Sequence, residues 1–301
     1  MTKNWTTASI PSQKGKTFLV TGANSGLGLG TSKVLAKKGA KVIMTARNLQ
    51  KGEDAITELK NEVPHADVEL MQLDLADLSA VRDFTQAFKS KFEKLDVLIN
   101  NAGVMMPVKR GETRQGFELQ FGTNHIGHFV LTLDLLDILE QTPQSRIVVL
   151  SSLVAKMGKA AIYWDDMQFE KSYDKMAAYS QSKLANMMFA MELHHRLEEK
   201  DSATISLMAH PGYTATNLQQ HMGVTGSVMN FLLAQKLEMG ILPTLRAATD
   251  VDAKGGEYYG PANMANWRGY PVINEPNRAA LNRKITKRLW KASEDLIAGV
   301  S

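Results

Sequence analysis

Cysteine is absent from this chain of 301 residues, and long uninterrupted hydrophobic runs are absent as well. The lack of cysteine excludes disulfides, thiolate metal sites and cysteine nucleophiles, and it suits a reducing compartment. The first dozen residues lack the apolar segment of a signal peptide. No later stretch reaches the roughly 18 apolar residues of a membrane span, because Asp134 and Asp137 interrupt the longest candidate, Phe129 to Leu139. We therefore expect a cytoplasmic protein without a membrane span.

The chain also has only a small net charge. The chain carries 35 basic and 31 acidic residues, a net charge of +4, and no basic run reaches five residues. This pattern argues against a nucleic-acid partner. Hydrophobic residues make up 44% of the chain and charged residues 22%, which excludes disorder as the main state. At about 150 residues per domain the length allows two domains, although one α/β sheet with its helices could also absorb it.

Hydrophobic patterning predicts strands that alternate with helices along most of the chain. The predicted strands are residues 16–21, 41–45, 68–73, 97–100, 146–150 and 204–209. The predicted helices are residues 26–38, 51–61, 78–92, 122–139 and 177–199. A βαβαβ order requires a parallel sheet with right-handed crossovers. We therefore predict an α/β fold, a doubly wound parallel sheet of the Rossmann type.

A glycine-rich turn, TGANSGLG, joins the first predicted strand to the first predicted helix at residues 21–28. Glycines there allow the backbone to approach a pyrophosphate, and the helix N-terminus offers free N–H groups. The spacing G-x-x-x-G-x-G differs from the usual G-x-G-x-x-G, so an ordinary tight turn remains an alternative. The location in the first βα unit favours a dinucleotide site. Its predicted members are Gly22, Asn24, Ser25, Gly26, Leu27 and Gly28.

The residues after the second strand indicate which dinucleotide is bound. A site selective for NAD places Asp or Glu there to bind the ribose hydroxyls, but no acidic residue lies between Thr21 and Glu53. Arg47 follows the strand instead, and a guanidinium can hold a 2′-phosphate through paired hydrogen bonds. A surface arginine is the alternative. The sequence therefore predicts NADP(H) as the preferred cofactor and leaves NAD(H) open.

Tyr179 and Lys183 are four positions apart in a segment of helical composition, so their side chains share one helix face. A nearby ammonium favours the phenolate and brings the tyrosine pKa from about 10 toward a useful range. Such a pair is also common on ordinary amphipathic helices. However, Ser151-Ser152 and the segment Asn100 to Gly103 (NNAG) end two other predicted strands. Parallel strands bring their carboxyl ends to one edge of the sheet, so we expect these groups to converge.

With these motifs the chain resembles the short-chain dehydrogenase/reductase family. The resemblance runs from about Lys16 to Thr216 and rests on motifs in the family's order. These are TGANSGLG, Asp74, NNAG, Asn124, the serine pair, YSQSK and His210-Pro211-Gly212.

The resemblance implies the catalytic roles. Tyr179 would exchange a proton with the substrate oxygen, and Lys183 would lower its pKa and bind the nicotinamide ribose. Ser152 would hydrogen-bond the same oxygen, and it is preferred to Ser151 because the family's serine is usually the second of such a pair. Asn124 would help to hold a water in the proton relay. The cofactor performs the hydride chemistry, and the protein supplies orientation and a proton.

The resemblance also implies the remaining cofactor contacts. Asp74 would bind the adenine, with Leu75 beside it, and Asn100 and Ala102 would line the adenosine ribose. The other residues assigned to the cofactor on this basis are Asn101, Gly103, Pro211, Gly212, Thr214 and Thr216, the two threonines near the carboxamide and phosphates. No residue is assigned to a metal.

The chain departs from the family pattern in two places. Ser152 and Tyr179 are 179 − 152 = 27 positions apart, whereas shorter members have about a dozen. The extra segment 153–178 and the FGTNHIGHF stretch are similar to the branch that contains retinol dehydrogenase-like and WW-domain oxidoreductase-like proteins. The second departure is Ser25, which stands where many NADP-dependent members carry a basic residue. The preference for NADP therefore depends on Arg47 alone.

Six or more β/α units follow one another without a linker-like stretch, which predicts a single domain over residues 1–301. We distinguish a polar extension (1–14), a cofactor-binding and catalytic core (15–216), substrate-covering loops and helices (217–275) and a C-terminal helix (276–301). Met105, Leu153 and Tyr213 fall near the reaction centre in chain order, which favours an apolar substrate. The chain could form a homodimer or homotetramer.

Other histidines and acids in the sequence fit ordinary structural roles. His194 and His195 are adjacent on a predicted helix and should point apart, which argues against a metal site. His125 and His128 are expected to be buried structural residues, and Asp165-Asp166 a solvated turn.

The sequence thus predicts an enzyme that interconverts an alcohol and a carbonyl on a moderately hydrophobic small molecule. Two alternatives remain. A dinucleotide-binding regulator would keep the fold without turnover, which the complete set Asn124, Ser152, Tyr179 and Lys183 disfavours. A sugar-nucleotide epimerase or dehydratase would need a G-x-x-G-x-x-G turn and a longer chain, and neither is present.

Overall fold

The computed structural model describes residues 4–158, 160–213 and 235–300 of the chain. The strands are β1 (Thr17–Val20), β2 (Lys41–Ala46), β3 (Val68–Gln72), β4 (Val97–Asn100), β5 (Arg146–Leu150), β6 (Ile205–Ala209), β7 (Tyr258–Asn263) and β8 (Arg268–Asn274). The helices are α1 (Gly26–Lys37), α2 (Leu49–Glu62), α3 (Leu78–Lys91), α4 (Leu119–Phe121), α5 (Gly127–Asp134), α6 (Leu136–Gln141), α7 (Lys175–Glu198), α8 (Leu237–Gly240), α9 (Leu242–Thr249), α10 (Arg278–Leu281) and α11 (Arg283–Ala298).

The eight strands of the described residues form one sheet in the order β3-β2-β1-β4-β5-β6-β7-β8. Every pair from β3 to β7 is parallel, and β8 is antiparallel to β7. The strand order reverses between β1 and β4, and ligands of such sheets bind at the carboxyl ends of the strands beside this reversal. The predicted fold class is therefore confirmed.

Helices cover both faces of the sheet, which is why β1 and β4 are buried at every position. One hydrophobic core packs α3, α5, α7 and α11 against the sheet. A second core packs α1, α2 and α9 against the opposite face. None of the helices in the described part of the chain is both long and apolar enough to cross a membrane.

The long helix predicted over 122–139 is interrupted. A π-helical turn, Gly122–Ile126, separates α4 from α5, and Leu135 separates α5 from α6. Glycine is required at both ends of this wider turn. A Cβ at Gly122 would lie 2.4 Å from Thr113 Cγ2, and one at Gly127 would lie 2.4 Å from the Leu75 carbonyl oxygen. Hydrophobic periodicity does not reveal such a turn, because the residues around it are buried on all sides.

The segment 217–275, predicted as loops and helices, also contains β7 and β8. Its residues 217–234 lie outside the described part of the chain. The hydrophobic pattern of these two strands is interrupted by glycine and proline, at Gly260, Pro261, Gly269 and Pro271. Proline is tolerated in an edge strand such as β8, where a missing N–H breaks no internal ladder.

Candidate active site

A cavity of about 480 Å³ lies at the carboxyl ends of β1, β2 and β4. Its volume falls in the range of about 300–1,000 Å³ that is usual for small-molecule sites. Twelve of its lining residues were assigned to the cofactor from the sequence: Gly22, Asn24, Ser25, Gly26, Leu27, Gly28, Arg47, Asp74, Leu75, Asn101, Ala102 and Gly103. Six others were not: Thr45, Ala46, Lys51, Leu73, Val104 and Thr123.

The glycine turn lines the floor of this cavity with main-chain atoms that no side chain covers. Gly22 has φ +63°, and a Cβ there would lie 2.9 Å from Ala102 Cβ. A Cβ at Gly28 would lie 2.4 Å from the Gly22 carbonyl oxygen. Ser25 is the N-cap of α1 but makes no side-chain bond to the helix, so the first N–H groups of α1 keep their capacity to bind an anion. These features fit the pyrophosphate of a dinucleotide.

Two basic residues line the cavity where β2 ends. Arg47 follows the strand directly, and Lys51 lies in the first turn of α2. The Asn48 side chain caps this helix by accepting from the Lys51 N–H at 2.9 Å. Asp74 is the one acid among the described residues that line the cavity, and it belongs to the segment after β3. Lys51 was missed from the sequence because a helical lysine gives no sign of which way it points.

The NNAG segment contributes Asn101 rather than Asn100 to the cavity. The Asn100 side chain is buried and donates to Thr132 Oγ1 at 2.8 Å, and Asn100 does not line the described cavity. Asn101 Nδ2 donates to the Thr21 carbonyl oxygen at 2.7 Å. The Thr21 hydroxyl accepts from the main-chain N–H groups of Asn101 and Ala102, both at 2.9 Å. The end of β1 therefore holds the NNAG segment in place.

Helix α7 places Tyr179 and Lys183 in the interior, 9% and 6% exposed. The two serines after β5 have different roles. Ser151 Oγ donates to the Lys183 carbonyl oxygen at 2.7 Å and so holds the helix against the strand. Ser152 hydrogen-bonds with Tyr179. Of the two serines, it is therefore Ser152 that lies beside the Tyr179 hydroxyl, and its bond to the substrate oxygen stays a prediction.

Burial dominates the ionisation of this pair. It raises the pKa of Tyr179 to about 12, and the hydrogen bond with Ser152 offsets only part of this effect. Burial also lowers the pKa of Lys183 to about 8. The sequence had predicted a tyrosine pKa lowered by the lysine, but Lys183 Nζ donates to the Leu150 carbonyl oxygen at 3.3 Å. At neutral pH Tyr179 therefore holds its proton.

Asn124 lies in the π-helical turn beside these residues. Its Oδ1 accepts from the Val104 N–H at 2.7 Å, and its Nδ2 donates to the Val104 carbonyl oxygen at 3.0 Å and to Ser182 Oγ at 2.9 Å. A Cβ on Gly103 would lie 3.0 Å from Asn124 Oδ1 and 3.5 Å from Lys183 Nζ. Asn124 and Lys183 therefore meet at the Gly103 end of the cavity.

The residues after β6 are placed only in part. Pro211 and Gly212 do not line the described cavity, and Thr214 and Thr216 lie outside the described residues. Gly212 has φ +68°, and a Cβ there would lie 2.4 Å from the Trp267 carbonyl oxygen. The Tyr213 ring contacts the Trp267 ring, with centroids 5.5 Å apart. The β7–β8 turn thus adds an aromatic residue that sequence reasoning did not consider.

The extra segment, as far as it is described (residues 153–158 and 160–178), packs between α7 and the loop after NNAG. Tyr173 donates its hydroxyl to the Pro107 carbonyl oxygen at 3.3 Å, and Gln181 Oε1 accepts from the Tyr163 N–H at 2.8 Å. The Phe169 ring contacts both tyrosine rings. Trp164 packs beneath the Arg288 guanidinium at 3.9 Å. The segment is thus a packed part of the wall beside the candidate site.

His194 and His195 do not point apart as expected. Their ring centroids are 5.3 Å apart, and ring nitrogens of both approach Glu198 Oε2, at 3.3 and 3.6 Å. The His194 ring lies against Gly255 and Gly256, where a Cβ would come within 2.7 Å of it. We interpret this group as two imidazoles beside an exposed carboxylate, with the His194 ring also packed against glycine, and no metal is assigned to it.

Comparisons with known proteins agree with this geometry. The sequence profile named short chain dehydrogenase matches residues 16–164. Human retinol dehydrogenase 13 is 36% identical, over 96% of this chain and 86% of that protein. Mouse retinol dehydrogenase 14 is 38% identical, over 94% of this chain and 86% of that protein.

Solved protein structures also resemble the fold of this chain. A crystal structure of an uncharacterized protein from Mycobacterium paratuberculosis has a TM-score of 0.82 and 39% identity, and it covers 98% of this chain and 97% of its own. A short-chain dehydrogenase from Burkholderia cenocepacia, solved in complex with NADP, has a TM-score of 0.65 and 22% identity. The match covers 82% of this chain and 96% of that chain. At that identity the second likeness supports the fold alone.

Proposed function

Because the chain belongs to the short-chain dehydrogenase/reductase family, in its retinol dehydrogenase-like branch, we propose a specific form of the family's reaction. Members of the family catalyse NAD(P)-dependent oxidoreduction of alcohol and carbonyl groups. The proposed substrate is a moderately hydrophobic small molecule, the preferred cofactor is NADP(H), and Tyr179 is the proton donor. The proposed location is the cytoplasm, a reducing compartment that the lack of cysteine suits.

The observation that carries this proposal is that α7 places Tyr179 next to Ser152 and Lys183 Nζ next to Gly103, which lines the end of the cavity. A bound nicotinamide would supply or accept the hydride. Tyr179 holds a proton at its phenol oxygen at neutral pH, because burial raises its pKa to about 12. It can donate that proton to a carbonyl oxygen as negative charge develops there, and the Ser152 hydroxyl can hydrogen-bond the same oxygen.

Two cations support the preference for NADP. Arg47 and Lys51 both line the end of the cavity beside β2, and the residues between Thr21 and Glu53 include no carboxylate. Hydrogen bonds between charged groups are stronger than neutral ones, about 1.5–3 kcal/mol each. A phosphate at this end would gain them, whereas a plain ribose would leave two cations without an anion.

An apolar substrate is supported by the relatives and by the residues near the site. The similar curated proteins are named retinol dehydrogenases, and retinol is an apolar alcohol. Met105 follows NNAG, and the rings of Tyr213 and Trp267 meet beyond β6. These side chains offer apolar and aromatic surface rather than charge.

Calorimetry with variants tests the cofactor preference. We expect NADP to bind at least tenfold more tightly than NAD. Arg47→Ala and Lys51→Ala should each weaken NADP binding about tenfold, which corresponds to 1.4 kcal/mol, and should change NAD binding less than twofold. Lys60→Ala is the matched control, because this exposed lysine lies at the far end of α2. Equal or tighter binding of NAD by the wild type would contradict the preference.

A panel of carbonyl compounds with NADPH tests the chemistry. Replacement of a general acid typically costs about 10²–10⁴ in rate, and we expect a loss of this size in kcat for Tyr179→Phe with NADPH affinity retained. Tyr270→Phe, on the exposed edge of the sheet, should behave as the wild type. If the wild type binds NADPH but reduces no compound in the panel, the alternative of a dinucleotide-binding regulator gains support.

A further inference from the structure

His128 is a buried titratable residue with no part in the mechanism above. It lies in α5, directly after the π-helical turn, and is 1% exposed. Both ring nitrogens have close polar neighbours. Nε2 is 2.9 Å from Thr21 Oγ1, and Nδ1 is 2.9 Å from the Asn124 carbonyl oxygen. The ring therefore bridges the end of β1 and the candidate relay asparagine.

The chemistry of these neighbours determines where the protons lie. A carbonyl oxygen can only accept, so Nδ1 must carry the ring proton and donate it to Asn124. Burial lowers the pKa of His128 to about 4, and the nearby charge of Lys183 acts in the same direction. The ring is therefore neutral at pH 7, and Nε2 is left with a lone pair.

Thr21 completes the assignment. Its hydroxyl oxygen already accepts from the N–H groups of Asn101 and Ala102, so its own proton needs an acceptor. His128 Nε2 lies at 2.9 Å and the Ile99 carbonyl oxygen at 3.4 Å. The nearer and otherwise unpaired nitrogen accepts the Thr21 proton. One directed series of hydrogen bonds thus runs from the NNAG amides through Thr21 and His128 to Asn124.

We infer that His128 is a positioning residue that fixes the Asn124 main-chain carbonyl relative to the floor of the cofactor cavity. The inference rests on the proposed function for its catalytic meaning. The Asn124 side chain is already bonded to Val104 and Ser182. The Asn124 carbonyl oxygen is bonded to His128 Nδ1, so the ring fixes the direction of the peptide group next to the Asn124 side chain.

His128 adds a side-chain hydrogen bond at the end of the wider turn. A π-helical turn shifts the regular main-chain hydrogen bonding of the helix over Gly122–Ile126. His128 then supplies a donor from a side chain whose other end is held by a different element, β1. A movement of NNAG or of the glycine turn would therefore be transmitted to Asn124.

Nitrogen NMR on the wild-type protein tests the proton assignment without any activity. With ¹⁵N-labelled histidine, the His128 imidazole should be neutral from pH 5 to pH 9 and should carry its proton on Nδ1. Its signals are assigned by comparison with His128→Gln and His125→Leu. Protonation on Nε2, or titration near pH 6.5, would overturn the inference.

Variants at His128 separate its two bonds. Asparagine places an amide nitrogen on the carbon that carries Nδ1, and glutamine reaches one bond further, level with Nε2. His128→Leu should raise the NADPH dissociation constant and lower kcat, each about tenfold. His128→Asn should restore kcat and not NADPH affinity, and His128→Gln should restore affinity and not kcat. A purely structural histidine would show no such split.

His125→Leu is the matched control for burial. His125 is also fully buried and neutral, but its Nε2 pairs with Ser293 Oγ of α11 at 2.9 Å. This variant should lower the melting temperature and leave NADPH affinity and kcat unchanged. If all three His128 variants lose only melting temperature, the inference is wrong. If the wild type has the assigned tautomer and the affinity split but reduces no carbonyl, the proposed function fails and the positioning of the cavity floor stands.

Discussion

At the residue scale, Lys183 sets the pH range of the reaction. Burial lowers its pKa to about 8 and raises that of Tyr179 to about 12. Below pH 8 the lysine is charged and the tyrosine holds its proton, so we expect NADPH-dependent reduction to be constant from pH 6 to 7. Above pH 8 Lys183 loses the positive charge that would stabilise the phenolate left on Tyr179 after it donates its proton, so the reductive kcat should fall. The oxidative rate should rise with pH, because Tyr179 must then accept a proton.

The control for this prediction is Lys183→Arg. A guanidinium stays charged throughout this range, so the variant should be slower but should no longer lose reductive activity above pH 8. The measurement is kcat against pH in both directions with one carbonyl and its alcohol. A fall at the same pH in the variant would show that another group titrates there.

At the element scale, α11 completes one of the two hydrophobic cores. Its Trp290 is 5% exposed and packs against Phe129 and Phe189, with ring centroids 4.9 and 5.8 Å away. The Arg196 guanidinium lies over the same ring at 4.0 Å. Truncation of a buried Trp typically costs about 3–5 kcal/mol, and we expect Trp290→Ala to lower the free energy of unfolding by this amount. Urea denaturation measures it.

Leu281→Ala is the comparison for Trp290→Ala. Leu281 belongs to α10 but is 49% exposed, so its truncation should change the free energy of unfolding by less than about 0.5 kcal/mol. Equal effects of the two substitutions would mean that α11 is not part of the cooperative core.

At the scale of the whole molecule, one continuous sheet separates the two cores, and each strand from β1 to β6 contributes to that shared layer. We therefore expect a single unfolding transition, as predicted for one domain. NADPH at 100 times its dissociation constant should stabilise the folded state by about 2.7 kcal/mol. This should raise the melting temperature by roughly 5 °C, as measured by scanning fluorimetry.

In the double variant Arg47→Ala/Lys51→Ala, NADPH should no longer raise the melting temperature by most of this amount. The rise in melting temperature with NAD should be unchanged. Two separate transitions, with only one moved by the cofactor, would contradict the single domain and confine the site to one part of the chain.

The sequence determined the features that depend on neighbours along the chain. The first six strands follow from short hydrophobic runs, the glycine turn from its location after β1, and the shared face of Tyr179 and Lys183 from helical spacing. The strands β7 and β8 were not predicted, because Gly and Pro interrupt the hydrophobic pattern of this edge hairpin.

Only the tertiary structure decided which side chains meet across elements. In the folded chain Asn101 lines the cavity, whereas the Asn100 side chain bonds to Thr132. Lys51 lines the same cavity as Arg47. Burial, rather than Lys183, determines the pKa of Tyr179. The tertiary structure also joined Thr21 to His128, which are 107 positions apart. Local patterns encode how a segment folds, but a hydrogen bond or a desolvation effect depends on which segments the complete fold packs together.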